Sequence, residues 1–292
     1  MTLRPLLGVD VGGTTIKSRL TDGEGRTIQE WRRPTPQRDH SGAHTVALLV
    51  DILSLARDLE PVAAMGVVVP GMVDDESGVC IRAVNLGWEN LPLRSLLQDR
   101  VDVAVAFGHD VRAGALAEGV SGAASDHDGT FAFVPVGTGL ASAVGAAGVI
   151  APRREWAGEI GQVIIDRGDY AGMRVEQIAS ASGIARAADQ PNAHAVAELV
   201  RAGDARATRV WNDAVDALGE SIAWIVATAG ADLIVVGGGL AEAGRLLLDP
   251  LGEVVARRAP RDVNVTLRQA AHGEAAAIVG ALIMADRMLA TS

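Results

Sequence analysis

Cysteine is almost missing from this 292-residue chain: Cys80 stands alone. A single thiol excludes an intramolecular disulfide and any cysteine-rich zinc site, and it fits a reducing cytoplasm. Lysine is equally rare. Lys17 is the one lysine among 26 basic residues, a bias that reads as base composition rather than chemistry. No basic run interrupts a formal net charge of −10, so the electrostatic footprint of a nucleic-acid binder is missing. The first residues lack the charged-then-apolar layout of a secretion signal. One uncharged run, residues 131–151, has the length of a membrane span. It holds Pro135, Gly137, Gly139, Gly145 and Gly148 and few large aliphatics, so a buried hairpin is expected instead. Hydrophobic residues at 49% predict a globular chain of one or two domains.

What is present begins at residues 6–17. An apolar run carries Asp10 and breaks at Gly12, Gly13, Thr14 and Thr15, which predicts a strand turning tightly into a second strand. Glycines let backbone N–H groups approach an anion, and threonine hydroxyls add donors. An acid just before such a loop suits a hydrated Mg²⁺ beside a polyphosphate. A plain hairpin with a Gly-Gly turn accounts for the same residues. Gly8 and Gly13 have the spacing of a P-loop, but Thr14 stands where its lysine belongs, and no G-x-G-x-x-G opens the chain.

Periodicity predicts a third strand toward Trp31, a helix capped by Ser41 and running to about Leu59, and a buried strand over 62–69. Residues 72–100 read as irregular. A strand over 101–107 leads through Gly108, His109 and Asp110 into a helix over 111–119. Strand 130–136, the turn Gly137-Thr138-Gly139 and a return strand over 140–150 then repeat the opening plan, a weak internal duplication. Residues 151–172 read as loop. Helices are expected over 174–188, 192–202 and 205–230. A strand over 233–236 ends in Gly237-Gly238-Gly239; a helix, a strand over 263–268 and a last helix over 274–290 follow. Strands alternating with helices make this an α/β chain.

In their joint order these motifs resemble the ROK sugar kinases (repressor, open reading frame, kinase) of the actin-like ATPase and sugar-kinase superfamily. The residues that carry the resemblance are Asp10 to Thr14, Gly71 with Asp74, Asn85-Leu86-Gly87-Trp88, Asp110, the Gly137 turn, Gly158-Glu159-Ile160-Gly161 and the Gly237 turn. The resemblance implies a two-lobed, ribonuclease H-like α/β fold with a mixed sheet in each lobe and a cleft between them. The N-terminal lobe would be residues 1–115 with the helix over 274–292 packing back on it, and the C-terminal lobe residues 116–273. The hinge would lie near 110–125 and before the last helix. It further implies ATP-dependent phosphorylation of a hexose by a glucokinase-like, cytoplasmic homodimer that binds neither nucleic acid nor membrane. Asp10, Gly12, Gly13, Thr14 and Thr15 and the turn at Gly137, Thr138 and Gly139 would hold the phosphates with Mg²⁺, and Gly237, Gly238 and Gly239 would pass the adenosine. Asp110 would be the general base, with Gly71, Asn85, His109, Glu159, Gln162 and Glu176 facing the sugar.

Each of these has a plainer account: a helix cap for Asp110, solvated charge for Glu159 and Glu176, a helix-entry turn for Gly237. Three departures from the family pattern stand out. Gln162 replaces a zinc-binding histidine and no cysteine follows it, so no structural zinc is expected. His109 stands where the family has asparagine beside the base, which opens a sugar differing at C3, such as allose or a 3-amino sugar. Val111 and Arg112 replace small polar residues. A catalytically silent sugar sensor, or polyphosphate in place of ATP, is compatible with the same residues.

Overall fold

The computed structural model describes residues 4–151, 154–166 and 168–291. The expectations that reach residues 1–3, 152, 153, 167 or 292 lie, at those positions, outside the described residues. The chain divides into two compact units. One takes in the residues up to Ala117, residues 154–156 and the chain from Ala275 on; the other takes in Glu118–Ala151 and Ala157–Glu274.

The first unit is built on β1 (Leu6–Val11), β2 (Thr15–Thr21), β3 (Thr27–Pro34), α1 (Ala43–Arg57) and β4 (Ala64–Val69). A small antiparallel sheet of β5 (Met72–Asp74), β6 (Val79–Ala83) and β7 (Trp88–Leu91) follows, then α2 (Leu93–Gln98), β8 (Ala104–His109) and α3 (Asp110–Ser121). The main sheet runs β3-β2-β1-β4-β8, with β1, β4 and β8 parallel. All six residues of β4 are buried. Alternation sends Met65, Val67 and Val69 to the core shared with Leu49, Ile52 and Leu53 of α1, and Ala64 and Val68 to the opposite face.

The small sheet corrects the irregular reading of 72–100. Its strands are only three to five residues long, too short for a period to show. Its turn is instead marked by Asp74, whose carboxylate accepts the Glu76 and Ser77 amides at 3.0 and 3.1 Å. Ser41 is likewise not the cap of α1. Gly42 holds that position in the left-handed region, and buried Asp39 takes the Thr45 amide at 2.8 Å.

The second unit has β9 (Thr130–Pro135), β10 (Ala143–Ala146), β11 (Val149–Ile150), α4 (Val175–Ala179), α5 (Ala181–Ala187), α6 (Ala193–Arg201), α7 (Ala205–Ala229), β12 (Leu233–Gly237), α8 (Arg245–Arg258) and β13 (Thr266–Gln269). Its sheet, β11-β10-β9-β12-β13, repeats the order and sense of the first. Trp211, Leu218 and Ile222 of α7 pack on Ala132, Val134, Ile234 and Val236 to form the core. Two sequence readings are corrected here. The return strand over 140–150 is split by a turn at Ala147 and Gly148, both with positive φ. The helix over 174–188 breaks at extended Ser180, whose hydroxyl accepts the Gly183 amide and starts α5 afresh.

Finally α9 (Ala276–Thr291) lies on β1, β4 and α3 of the first unit. Glycines make this approach possible. A Cβ on Gly66 would stand 1.9 Å from the Ala281 carbonyl oxygen, and one on Gly280 1.9 Å from that of Ala113. Just before α9, fully buried Glu118 at the end of α3 accepts the amides of Ala271 and His272 at 3.0 and 2.9 Å. A buried carboxylate is tolerated there because backbone donors replace its water.

Candidate active site

The sequence-predicted residues fall into two sets, one in each unit. In the first, Asp10 sits at the carboxyl end of β1, half-buried. Burial pushes its carboxyl up to about 6, and the charge of Lys17 works against that rise. Lys17 is its register partner across the β1–β2 hairpin. The compositional account of the single lysine missed this pairing; counting back from the turn at Gly12 and Gly13 would have found it.

The loop between these strands is held from behind. Thr35 Oγ1 donates to the Gly12 carbonyl at 2.6 Å, Gln37 Nε2 to that of Gly13 at 3.1 Å, and the Thr35 amide to that of Thr14 at 3.0 Å. In a trans peptide the N–H points opposite to the preceding carbonyl, and the described backbone has no cis bond. The amides of Gly13, Thr14 and Thr15 are therefore directed away from Thr35 and Gln37, as an anion cradle requires. The Gly12 amide is turned inward, donating to Thr15 at 3.1 Å. Thr35 and Gln37 carry no motif and were not legible in the sequence. Asn85 adjoins this loop, its Cβ only 3.0 Å from where a Cβ on Gly13 would be. Gly71, with φ of 95°, packs its Cα against the Arg82 carbonyl of β6 in a space no side chain fits.

Asp110 follows β8 directly and is the first residue of α3. Asp10 is in register with Val68, and Val68 with Gly108. The strands that carry Asp10 and lead to Asp110 thus run out at the same end of the sheet, two strand spacings or about 10 Å apart, at the carboxyl ends where open α/β sheets bind ligands. The Asp110 Oδ1 accepts the Val111 amide at 2.7 Å, and His109 Nε2 lies 3.3 Å from it. His109 is only 5% exposed, and its imidazole turns to the carboxylate beside it. Asp75, which no sequence motif marked, and Arg112, noted only as a departure from the family pattern, complete the surroundings. Asp75 accepts the His109 amide at 3.1 Å and the Arg112 guanidinium at 2.7 and 3.0 Å.

In the second unit the β9–β12 pairing sets two glycine loops side by side. The Val136 amide donates to the Gly237 carbonyl at 2.9 Å, and Gly238, at φ of 73°, leaves no room for a Cβ above Val136. Gly137 and Gly239 have open space where a Cβ would project. Thr138 and Gly139 are exposed at the tip. Gly158 and Gly161 let the segment carrying Glu159 lie against Ser142 and Leu140. Gln162 Nε2 donates to Glu176 Oε1 at 2.7 Å, and Glu176 Oε2 reaches within 3.4 Å of a Cβ position on Gly139. Gln162 and Glu176 therefore meet beside the Gly137 turn. Among the described residues no group of three or more His, Cys, Asp or Glu side chains is placed to hold a metal ion, and Gln162 has the carboxylate of Glu176 as its partner.

The family profile described as "ROK family" matches residues 6–288. The glucokinase of Halalkalibacterium halodurans is 29% identical over 282 residues, covering 86% of this chain and 85% of its own. The N-acetylmannosamine kinase of Escherichia fergusonii is 30% identical over 295 residues, covering 96% of this chain and 98% of its own. A ROK family glucokinase from Streptomyces griseus, solved in complex with glucose and AMPPNP, shares the fold with a TM-score of 0.83 at 24% identity, over 97% of this chain and 99% of that one. The architecture is the mixed α/β fold of the actin-like sugar kinases, and the chain belongs to the ROK family.

Proposed function

We propose that the chain transfers the γ-phosphoryl group of ATP to the C6 hydroxyl of a hexose, with Asp110 as general base. It is an ATP-dependent sugar kinase; the hexose, the C6 position and the base are the proposal. The observation that carries it is the shared sheet end: Asp110 after β8 and the Gly12 to Thr15 loop after β1 leave the sheet at the same end. In the reaction the sugar oxygen bonds to the γ-phosphorus as the bond to the β-bridging oxygen breaks, and the hydroxyl proton passes to the Asp110 carboxylate. The Val111 amide and His109 orient that carboxylate.

The residues present fit Mg²⁺ with the nucleotide. Asp10 is a carboxylate whose charge burial disfavours and Lys17 only partly offsets, so a nearby cation would relieve it. When bound, Mg²⁺ neutralises charge on the phosphates. Asp10 would hold it through its water shell, and the loops at Gly137 and Gly239 leave backbone open to phosphate and adenosine. Asn85, Glu159, Gln162 and Glu176 would bond the sugar hydroxyls. A homodimer and a cytoplasmic location are carried over from the resemblance alone; among the described residues no helix is long and apolar enough to cross a membrane.

His109 beside Asp110 favours a second reading, a sugar altered at C3. A phosphorylation screen over glucose, allose, 3-amino and N-acetyl sugars, with ATP and with polyphosphate, separates the readings. Turnover of glucose with ATP is the expected result; no phosphorylation of any hexose would overturn both.

A further inference from the structure

Two of the family departures, His109 and Arg112, belong to one arrangement. Strand β8 is the edge of its sheet. Every second amide of an edge strand faces away from its one partner and needs another acceptor. On β8 two side chains supply it: Gln98 Oε1 accepts the Val105 amide at 3.1 Å, and Asp75 Oδ1 the His109 amide at 3.1 Å. The second of these fixes the residue immediately before Asp110. The same Asp75 carboxylate receives Arg112 Nε at 3.0 Å and Nη2 at 2.7 Å, and that Nη2 also donates to the Val73 carbonyl at 2.6 Å. Arg112 is 5% exposed. Asp110 is thus bracketed: the amide one residue before it and the guanidinium two residues after it end on one carboxylate.

We propose that Asp75 and Arg112 form a positioning pair that sets the place of Asp110 at the strand-to-helix junction. This rests on Asp110 being the base. A fork bonded to both oxygens of a carboxylate fixes direction as well as distance. A base on the open edge of a sheet has no second strand to hold it, so the pair supplies what a ladder would. In this role both residues act through Asp110 rather than on the sugar or the phosphates.

The test compares Arg112→Met, Arg112→Lys, Asp75→Asn, Asp110→Asn and the Asp110→Asn/Arg112→Met double variant by kcat, by sugar Kd and by thermal unfolding. A base displaced by about 1 Å loses about 10²-fold in rate, so Arg112→Met is expected to lower kcat about 10- to 100-fold with sugar Kd within about threefold. Lysine keeps the charge but not the fork, so Arg112→Lys does not restore the rate. In the Asp110→Asn background, adding Arg112→Met leaves the residual rate where it was. A folded Arg112→Met protein with wild-type kcat overturns the proposal, and so does an equal further loss in the Asp110→Asn background, the mark of a merely structural role. Should Arg112→Met not fold, Asp75→Asn decides by the same readings. Asp110→Asn turning over like wild type would instead overturn the base assignment, a result distinguishable from the others.

Discussion

The two five-stranded sheets have one strand order and one pattern of parallel and antiparallel pairing, yet they carry different chemistry. The first strand of one runs out through Asp10-Val11-Gly12-Gly13-Thr14; the first strand of the other runs out through Pro135-Val136-Gly137-Thr138-Gly139. The glycine turn is kept and the acid is replaced by proline. At the far parallel strand the contrast recurs: β8 leads into His109 and Asp110, whereas β13 leads into Ala270 and Ala271. The repeated topology delivers a glycine turn at a strand's carboxyl end twice, the place proposed for phosphate in both units. The carboxylates proposed for metal charge and proton transfer both lie at or just after the carboxyl ends of strands of the first sheet. Substitutions at matching places should therefore have unequal effects.

The largest inequality is expected at the far strand. Asp110→Asn should lower kcat by about 10²–10⁴, the usual worth of a general base, while sugar binding measured by calorimetry stays near wild type. The matching place after β13 holds His272 rather than a carboxylate, its Nε2 3.0 Å from the Ser121 hydroxyl. Turnover within a few-fold of wild type would remove the distinction between the sheets.

Asp10 is the next contrast. Burial raises its carboxyl from 3.8 to about 6, so the folded protein holds that proton more tightly than the unfolded chain. The ionised form is penalised in the fold. The penalty is nil below about pH 4, grows as pH rises toward 6, and stays constant above it. At about 1.4 kcal/mol per pH unit of displacement it reaches about 3 kcal/mol. Without nucleotide or Mg²⁺, Asp10→Asn should stabilise the protein by up to that amount at pH 7 to 8 and by almost nothing at pH 4. The same variant should bind Mg-nucleotide more weakly at neutral pH. Denaturation curves at the two pH values check the first point, and a pH-independent difference would count against it.

The glycines sharpen the comparison by stability. In the first unit Gly66 and Gly280 are packing glycines, each with a backbone oxygen 1.9 Å from the Cβ position. In the second, Gly137 has open space there. Gly280→Ala should destabilise by about 1–3 kcal/mol, the range for overpacking. Gly137→Ala should change stability by less than about 0.5 kcal/mol while raising the KM for ATP several-fold. Equal unfolding midpoints for the two variants would show that the second loop is as tightly packed as the first helix contact.

How much of this was legible beforehand follows from the length of each signal. The hairpin at Gly12 and Gly13, the apolar run of β4 and the paired glycine turns are patterns of consecutive residues, and they placed both sheets. The β5–β6–β7 sheet was lost because its strands are too short to show a period. Thr35, Gln37 and Asp75 were lost for another reason: each acts on a residue distant in sequence, across a hairpin or between strands, and one chain without its fold holds no record of those neighbours; Arg112 stood out as a departure, but its partner Asp75 did not. His109 stood out only because it departs from the family pattern beside the base, and the direction of its side chain follows from β8 and Asp75, which the sequence alone does not bring together.

His109 is where the smallest effect is expected and where the contrast bears on substrate choice. Two places were open to its side chain, the core of the unit or the vicinity of the base. The imidazole is buried, and its Nε2 is 3.3 Å from the Asp110 carboxylate. The resemblance puts the residue before the base on the C3 side of the sugar, and His109 beside Asp110 is in place to meet it under that reading. Asparagine is shorter and offers a carbonyl and an amide, so it would satisfy a different C3 substituent. His109→Asn should raise kcat/KM for glucose relative to allose or a 3-amino sugar. One hydrogen bond is worth about 0.5–1.5 kcal/mol net, which sets the change at several-fold to about tenfold. The ratio between sugars is the quantity to measure, because a loss of orientation at Asp110 lowers both rates together and leaves the ratio alone. An unchanged ratio with a lower kcat for every sugar would therefore assign His109 wholly to holding the base, beside Asp75 and Arg112, and would leave specificity to Asn85 and to Glu159 and Glu176 of the second unit.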